Sequence, residues 1–225
     1  MIKAIVTDIE GTTSALSFVH EVLFPYARQR MAEFVRGHAE DPKLVSQLND
    51  VRLEAGADLS IEQIIEQLLA WIDADKKITP LKALQGMIWE SGFKQGDFTG
   101  HVYADAVQNL RRWHEAGIRL YVFSSGSVQA QKLLFGYSDA GDLTPLFSGY
   151  FDTNIGAKRE ASAYTAIAER IGLPPEEVLF LSDIEQELDA ARAAGMHTTW
   201  LVRDTAPDQS AGHRQVQSFD EIVLD

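Results

Sequence analysis

The sequence predicts an α/β fold, a parallel sheet with helices on both faces, with an all-helical domain inserted near its start. Three observations carry this. Continuous apolar runs of strand length recur, bounded by polar or turn residues. Helical segments ending at glycines alternate with them. Between the first two runs lies a long stretch, residues 17–96, with helix signals only.

In chain order, Ile2-Lys3-Ala4-Ile5-Val6-Thr7 reads as the first buried strand. Apolar residues at helical spacing then predict a helix over 18–35. Ser60-Ile61-Glu62-Gln63 fits a capping box that opens a helix over 61–72. Thr79-Pro80 places a cap before a first-turn proline and opens a helix over 81–89. The glycines over 92–100 predict a linker back to the sheet. A helix over 105–116 ends at Gly117 and a strand follows over 118–123. Residues 150–152 make a short strand, 162–171 a helix ending at Gly172, and 178–181 a strand. A helix over 185–194 ends at Gly195, and 198–202 and 221–224 complete the sheet, the last as a weak edge strand. The expected domains are 1–16 with 97–225, and the helical insert 17–96.

Composition narrows the class of function. The 225 residues are 45% apolar, enough for one sizeable core or a core with a smaller domain. The net charge of −13 with no basic stripe argues against nucleic acid as a partner. An acidic protein acting on an anion must supply local positive charge through a metal ion, a lysine or backbone N–H groups. The absence of cysteine excludes disulfides, thiolate nucleophiles and zinc–cysteine sites, and is compatible with a reducing cytoplasm. No apolar run reaches the roughly 20 residues of a membrane helix, and Met1 leads directly into a strand without a signal-peptide pattern. The expectation is a soluble cytoplasmic protein.

Four chemical elements fall at predicted strand ends, where open α/β sheets bind their ligands. Asp8 and Glu10 follow the first strand, and Ser124-Ser125-Gly126-Ser127 follows the second. Lys158 follows the third, and Asp183, with Glu185 and Glu187 behind it, follows the fourth. This set suits phosphoryl transfer. Asp8 and Asp183 offer hard oxygen ligands for magnesium. The second Asp8 oxygen can attack phosphorus. Ser124 and the N–H groups of Ser125 and Gly126 can hold the transferring oxygens. Lys158 is a compact counter-charge, and Glu10 can deliver or accept a proton. Unaided hydrolysis of phosphate monoesters demands accelerations of up to about 10²¹. Taken singly, each piece has an ordinary reading as a turn, a loop, a surface lysine or a helix cap; their joint order at strand ends does not.

With these residues in place, the chain resembles the haloacid-dehalogenase superfamily along its whole length. Asp8-x-Glu10-Gly11-Thr12 is similar to its first motif, Ser124 to its second, Lys158 to its third, and Asp183 with Glu187 to its fourth. The resemblance implies a haloacid-dehalogenase-like Rossmannoid core, and the insert resembles that superfamily's mobile helical cap. Glu10, where most members carry Asp, is similar to the enolase-phosphatase family within it. So are Thr13, Phe24-Pro25-Tyr26, Leu84-Gln85-Gly86, Ser124-Ser125-Gly126-Ser127 and Gln131-Lys132-Leu133-Leu134-Phe135-Gly136. That family implies a bifunctional methionine-salvage enzyme with one Mg²⁺ per subunit. It would enolise a small phosphorylated diketone, 2,3-diketo-5-methylthiopentyl-1-phosphate, and then remove its phosphate. By the resemblance, Asp8 is nucleophile and metal ligand. Glu10 is a ligand through its main-chain carbonyl and an acid–base through its side chain, and Asp183 is the other protein ligand. Ser124, Ser125 and Lys158 bind the phosphate, and Glu187 orients Lys158 or the metal waters.

Lys158 and Glu10 are both candidates to abstract the carbon-bound proton. Phe18, Trp71, Met87 and Trp89 are candidates to bind the methylthio tail, with ordinary helix core as the alternative, and His20 is a candidate to face the site. Thr12, Thr13, Ser14 and the glycines of 96–100 are candidate hinges. A generic magnesium-dependent capped phosphatase of small sugar phosphates is the alternative function. A dehalogenase, or a non-catalytic relic of the fold, would not need all four elements. A monomer is expected, because one site under one cap needs no partner subunit.

Overall fold

A computed structural model of the protein describes residues 1–208 and 210–224. The chain divides into two compact units, one of 1–16 and 100–225 and the other of Ser17–Thr99.

The first unit is built on six parallel strands in the order β3-β2-β1-β4-β5-β6 among the described residues. This order is that of doubly wound nucleotide-binding sheets, with the reversal between β1 and β4. The strands are β1 (Ala4–Thr7), β2 (Arg119–Phe123), β3 (Phe147–Phe151), β4 (Val178–Ser182), β5 (His197–Leu201) and β6 (Arg214–Val216). β1 and β4 are buried along their full length, which is why they read as unbroken apolar runs. Thr7 is level with Val122 on one side and Leu181 on the other, so Asp8, Ser124 and Asp183 all emerge at one edge of the sheet. One face packs Ala4, Val6, Phe123, Tyr164, Phe180 and Leu188 into a common core.

A single turn, α1 (Leu16–Phe18), and five π-wound residues, Val19–Leu23, precede α2 (Phe24–Gly37). The second unit then continues with α3 (Pro42–Ala55), α4 (Ile61–Asp73) and α5 (Thr79–Gln95). Its core holds Met31, Leu48, Leu68 and Leu84, all essentially inaccessible. The Ser60 capping box is present: Gln63 N–H donates to Ser60 Oγ at 3.4 Å and Ser60 N–H to Gln63 Oε1 at 2.9 Å. The helices of the first unit are α6 (Ala104–Glu115), α7 (Val128–Gly136), α8 (Ala161–Ile171) and α9 (Glu185–Ala193). Among the described residues, no helix is long and apolar enough to cross a membrane.

Several expectations are corrected. Residues 92–100 are not simply a linker, because α5 runs through Gly92 to Gln95 and closes on the left-handed Gly96. A Cβ at Gly92 would sit 2.6 Å from Phe98 and 2.7 Å from Tyr26, so the glycine serves close packing. Thr79 is the first helical residue and makes no side-chain cap. α3 and α7 went unread. The third strand begins at Phe147, before the turn-like Ser148-Gly149, and excludes Asp152. The sixth strand is Arg214–Val216; Phe219–Glu221 is a short 3₁₀ turn capped by Ser218 and Glu221. Thr12, Thr13 and Ser14, read as hinge residues, are fully buried, and the Ile9 carbonyl accepts all three of their N–H groups.

Candidate active site

Asp8 at the end of β1, Lys158 from the loop after β3 and Glu187 of α9 form a charged triple. Lys158 Nζ donates to Asp8 Oδ1 at 2.6 Å and lies 2.8 Å from Glu187 Oε2, with all three side chains about nine-tenths buried. Ser182, at the end of β4, donates its hydroxyl to Glu187 Oε2 at 2.9 Å and accepts the Ile184 N–H at 3.1 Å. Tyr164 of α8 donates to the Lys158 carbonyl at 2.7 Å and fixes the lysine's backbone. Burial works against the Lys158 charge, but Asp8 and Glu187 outweigh it and hold the ammonium above its ordinary pKa. Burial, then the Asp8 charge, raises Glu187 against the pull of Lys158.

Asp183 adds a further carboxylate. It packs against the turn after Asp8: a Cβ on Gly11, which sits at φ +72°, would lie 2.3 Å from Asp183 Oδ2. Only glycine suits both the left-handed backbone and that approach. Burial, then repulsion from Asp8, pushes the Asp183 pKa up to about 7. Its Oδ1 is buried without a hydrogen-bond partner. Trp200 Nε1 donates to the Asp183 carbonyl at 2.9 Å and anchors the segment that presents it.

These facts test whether a divalent cation fits. A buried, unpartnered carboxylate oxygen beside a second carboxylate is a place where negative charge lacks compensation. Among the described residues no three side chains of Asp, Glu, His or Cys gather into a cage. A cation that takes one or two carboxylates and fills its shell with water, carbonyl and phosphate oxygens suits this arrangement.

Ser124 is buried where β2 ends, and its N–H donates to the Phe151 carbonyl at 3.2 Å. Its hydroxyl oxygen accepts the Gly126 N–H at 3.2 Å, so that N–H closes the loop on itself and is not the open oxyanion donor expected from the sequence. Gln131 of α7 donates one amide nitrogen to the carbonyls of Gly126 and Phe151, each at 2.8 Å, tying the loop to β3. Ser125 is exposed, Glu10 is half-buried in the turn after Asp8, and Glu185 is exposed.

The structure thus joins Asp8, Lys158, Glu187 and Asp183 and places Ser124 level with them. Of the candidates for the tail pocket, all in the helical unit, Met87 is half-buried and Phe18, Trp71 and Trp89 are buried. Trp89 Nε1 donates to the Leu23 carbonyl at 2.8 Å. His20 is exposed, edge-on to Phe24. Ser182 and Trp200 were missed, and Gln131 was read as part of a family-like motif without its role, because these roles run through hydrogen bonds that leave no spacing signal.

Comparison with known proteins shows the family. Residues 2–195 match the haloacid dehalogenase-like hydrolases. The chain is 62% identical over 223 residues to Enolase-phosphatase E1 of Methylococcus capsulatus, covering 99% of this chain and 98% of that one. It is 59% identical over 225 residues to Enolase-phosphatase E1 of Yersinia pestis, covering 100% and 98%. Among solved structures, the Unknown transcript 4 protein of Saccharomyces cerevisiae aligns with a TM-score of 0.84 at 33% identity, covering 99% of this chain and 100% of that chain.

Proposed function

This chain belongs to the haloacid dehalogenase-like hydrolases and, within them, to the enolase-phosphatases, and from that premise we propose how it turns over 2,3-diketo-5-methylthiopentyl-1-phosphate. The enzyme first enolises the diketone and then releases phosphate, leaving 1,2-dihydroxy-3-keto-5-methylthiopentene. The observation that carries the reading is the buried Asp8–Lys158–Glu187 triple beside the unpartnered Asp183 oxygen.

In the enolisation we assign the base to Glu10. Lys158 is bonded to two carboxylates and held protonated, which suits it to stabilise charge rather than accept a proton. In the phosphatase step, the Asp8 oxygen not bonded to Lys158 attacks phosphorus and the P–O ester bond breaks. By then Glu10 has passed the C1 proton to the C2 carbonyl oxygen, completing the enol, and has taken another from solvent, which it gives to the leaving oxygen. Water, losing a proton to Glu10, then cleaves the aspartyl-phosphate, returning phosphate and free Asp8. Lys158 stabilises the phosphoryl oxygens from one side and the Ser124–Ser125 loop holds them from another.

A divalent cation, magnesium at one per subunit in this proposal, would be held by Asp8, the Glu10 main-chain carbonyl and Asp183. When bound it supplies Lewis-acid polarisation of the substrate's oxygens. The helical unit, inserted in the chain between Asp8 and Ser124, corresponds to the family's cap. All the named groups come from one chain, so we take the working form to be a monomer. A small phosphorylated metabolite as substrate supports a cytoplasmic location.

The test is a substrate panel with magnesium. The diketone phosphate is expected to exceed simple sugar phosphates in kcat/KM by at least about 10²-fold. Equal turnover across the panel would replace this reading with a generic capped phosphatase.

A further inference from the structure

The turn that carries Asp8 and Glu10 is gripped from outside by a residue far along the chain. Arg203 lies just past β5, and its Nε and one Nη donate to the Thr12 carbonyl at 3.0 and 2.7 Å. Its other Nη donates to both Asp105 oxygens at 3.0 Å. The two side chains are only 10% and 17% exposed. The guanidinium carbon sits 3.8 Å from the Tyr103 ring centre and 5.4 Å from that of Phe219. Asp105 is fixed in turn by the Phe219 N–H at 2.7 Å and the Ser218 hydroxyl at 3.1 Å.

Neighbouring bonds hold the same turn. Tyr103 N–H donates to the Thr13 carbonyl at 2.9 Å, and His101 Nδ1 accepts the Ala15 N–H at 3.0 Å. Inside the turn, the N–H groups of Thr12, Thr13 and Ser14 converge on the Ile9 carbonyl at 3.2, 3.0 and 2.9 Å. Thr13 Oγ1 donates to the Asp8 carbonyl at 3.1 Å. A displacement of Thr12 is therefore transmitted through Ile9 to the nucleophile.

We propose that Arg203 is a positioning residue for phosphoryl transfer, fixing the line of attack of Asp8 through the Thr12 carbonyl; this rests on the reading of Asp8 as nucleophile. A buried ion pair is costly to desolvate and a weak source of stability compared with apolar packing. What the guanidinium adds is geometry. It is a planar fork that meets a carbonyl and a carboxylate together while stacked on a ring. A lysine ammonium at that position has neither the fork nor the stacking plane.

The experiment compares Arg203→Lys, Asp105→Asn, their double variant and Asp8→Asn with the parent full-length chain, with magnesium and the diketone phosphate. Folding is checked by circular dichroism and thermal melting. Folded Arg203→Lys is expected to lose kcat on the order of 10²-fold, the cost of a misplacement near 1 Å. Its KM should stay within about twofold, since the phosphate contacts are untouched. Asp105→Asn should lose less, and the double variant should be no slower than Arg203→Lys alone, because Asp105 acts through Arg203. Backbone amides of residues 9–14 should exchange faster in Arg203→Lys and in Asp105→Asn, a readout that does not need turnover. Parental kcat in folded Arg203→Lys, or a raised KM at unchanged kcat, would overturn the proposal. Should Arg203→Lys not fold, parental kcat and exchange in Asp105→Asn would overturn it equally. An inactive Asp8→Asn beside a fully active Arg203→Lys rejects the positioning role alone. An active Asp8→Asn rejects the nucleophile reading, and the positioning role with it.

Discussion

Lys158 is the counter-charge on which the buried acidic groups depend. Asp8 and Glu187 are both within 2.8 Å of its ammonium, and Asp183 stands next to Asp8 with its pKa raised to about 7. Removing the cation therefore differs from removing one anion. Without metal, Lys158→Met is expected to destabilise the protein by about 3–5 kcal/mol, the cost of stranding buried charge. Glu187→Gln should cost clearly less, because Lys158 keeps Asp8 and one buried negative charge disappears. Paired denaturant melts check this, and equal losses would contradict it. Asp8 and Asp183 were legible in the sequence because each directly follows a hydrophobic run, and Lys158 and Glu187 because they follow strand ends within a few residues, where sheet geometry converges them. Arg203 was not. Its partners are the main-chain carbonyl of Thr12, 191 positions away, and Asp105, 98 positions away, and no local pattern records such a pairing. The loop chemistry at Ser124 was half legible: the hydroxyl was read, but not that it would take up the Gly126 N–H.

At the scale of elements, glycine misled the reading where its reason was packing rather than turning. Gly92 lies inside α5 because Tyr26 and Phe98 occupy the space a Cβ would need. Gly92→Ala sets a helix-propensity gain of up to about 1 kcal/mol against an overpacking cost of about 1–3 kcal/mol. The net expectation is a destabilised helical unit, measured by thermal melting; a more stable variant would contradict the packing argument. The edge strand expected at 221–224 failed for a related reason, because Glu221 turns back to the Gln217 and Ser218 N–H groups and closes a turn. Strands buried along their length and helices with strong caps or left-handed glycine ends were readable. α3 was missed although Asp41 caps it, because its proline start lay in a run of charged residues. Asp105, at the start of α6, ties that helix to this terminal turn. Burial opposes its charge, but the Phe219 N–H, Arg203 and the Ser218 hydroxyl prevail and hold its pKa below the ordinary carboxylate value. Its folded pKa is thus the lower one. The stability it contributes is full above the unfolded value of about 3.9 and is lost as pH falls through that value towards the folded one. Asp105→Asn should accordingly flatten the acid limb of the stability profile below about pH 4. An unchanged acid limb would show that Asp105 is not held in this way.

For the whole molecule, a net charge of −13 leaves little long-range attraction for an anionic substrate, so attraction must be local. Lys158 supplies one positive charge and the proposed cation the rest. Magnesium at about 100 times its dissociation constant should stabilise the protein by about 2.7 kcal/mol, a rise in Tm of roughly 5–10 °C for a chain of this length. Asp183→Asn should abolish most of that rise, and an equal rise in the variant would remove Asp183 from the ligand set. The central claim is that one site with one nucleophile performs two successive reactions. Its most direct test follows enol absorbance and released phosphate together, without oxygen, for the parent protein and Asp8→Asn. The account predicts that enol precedes phosphate in the parent, and that Asp8→Asn forms enol but releases no phosphate. Phosphate release by Asp8→Asn at the parental rate, or phosphate appearing before any enol, would contradict it.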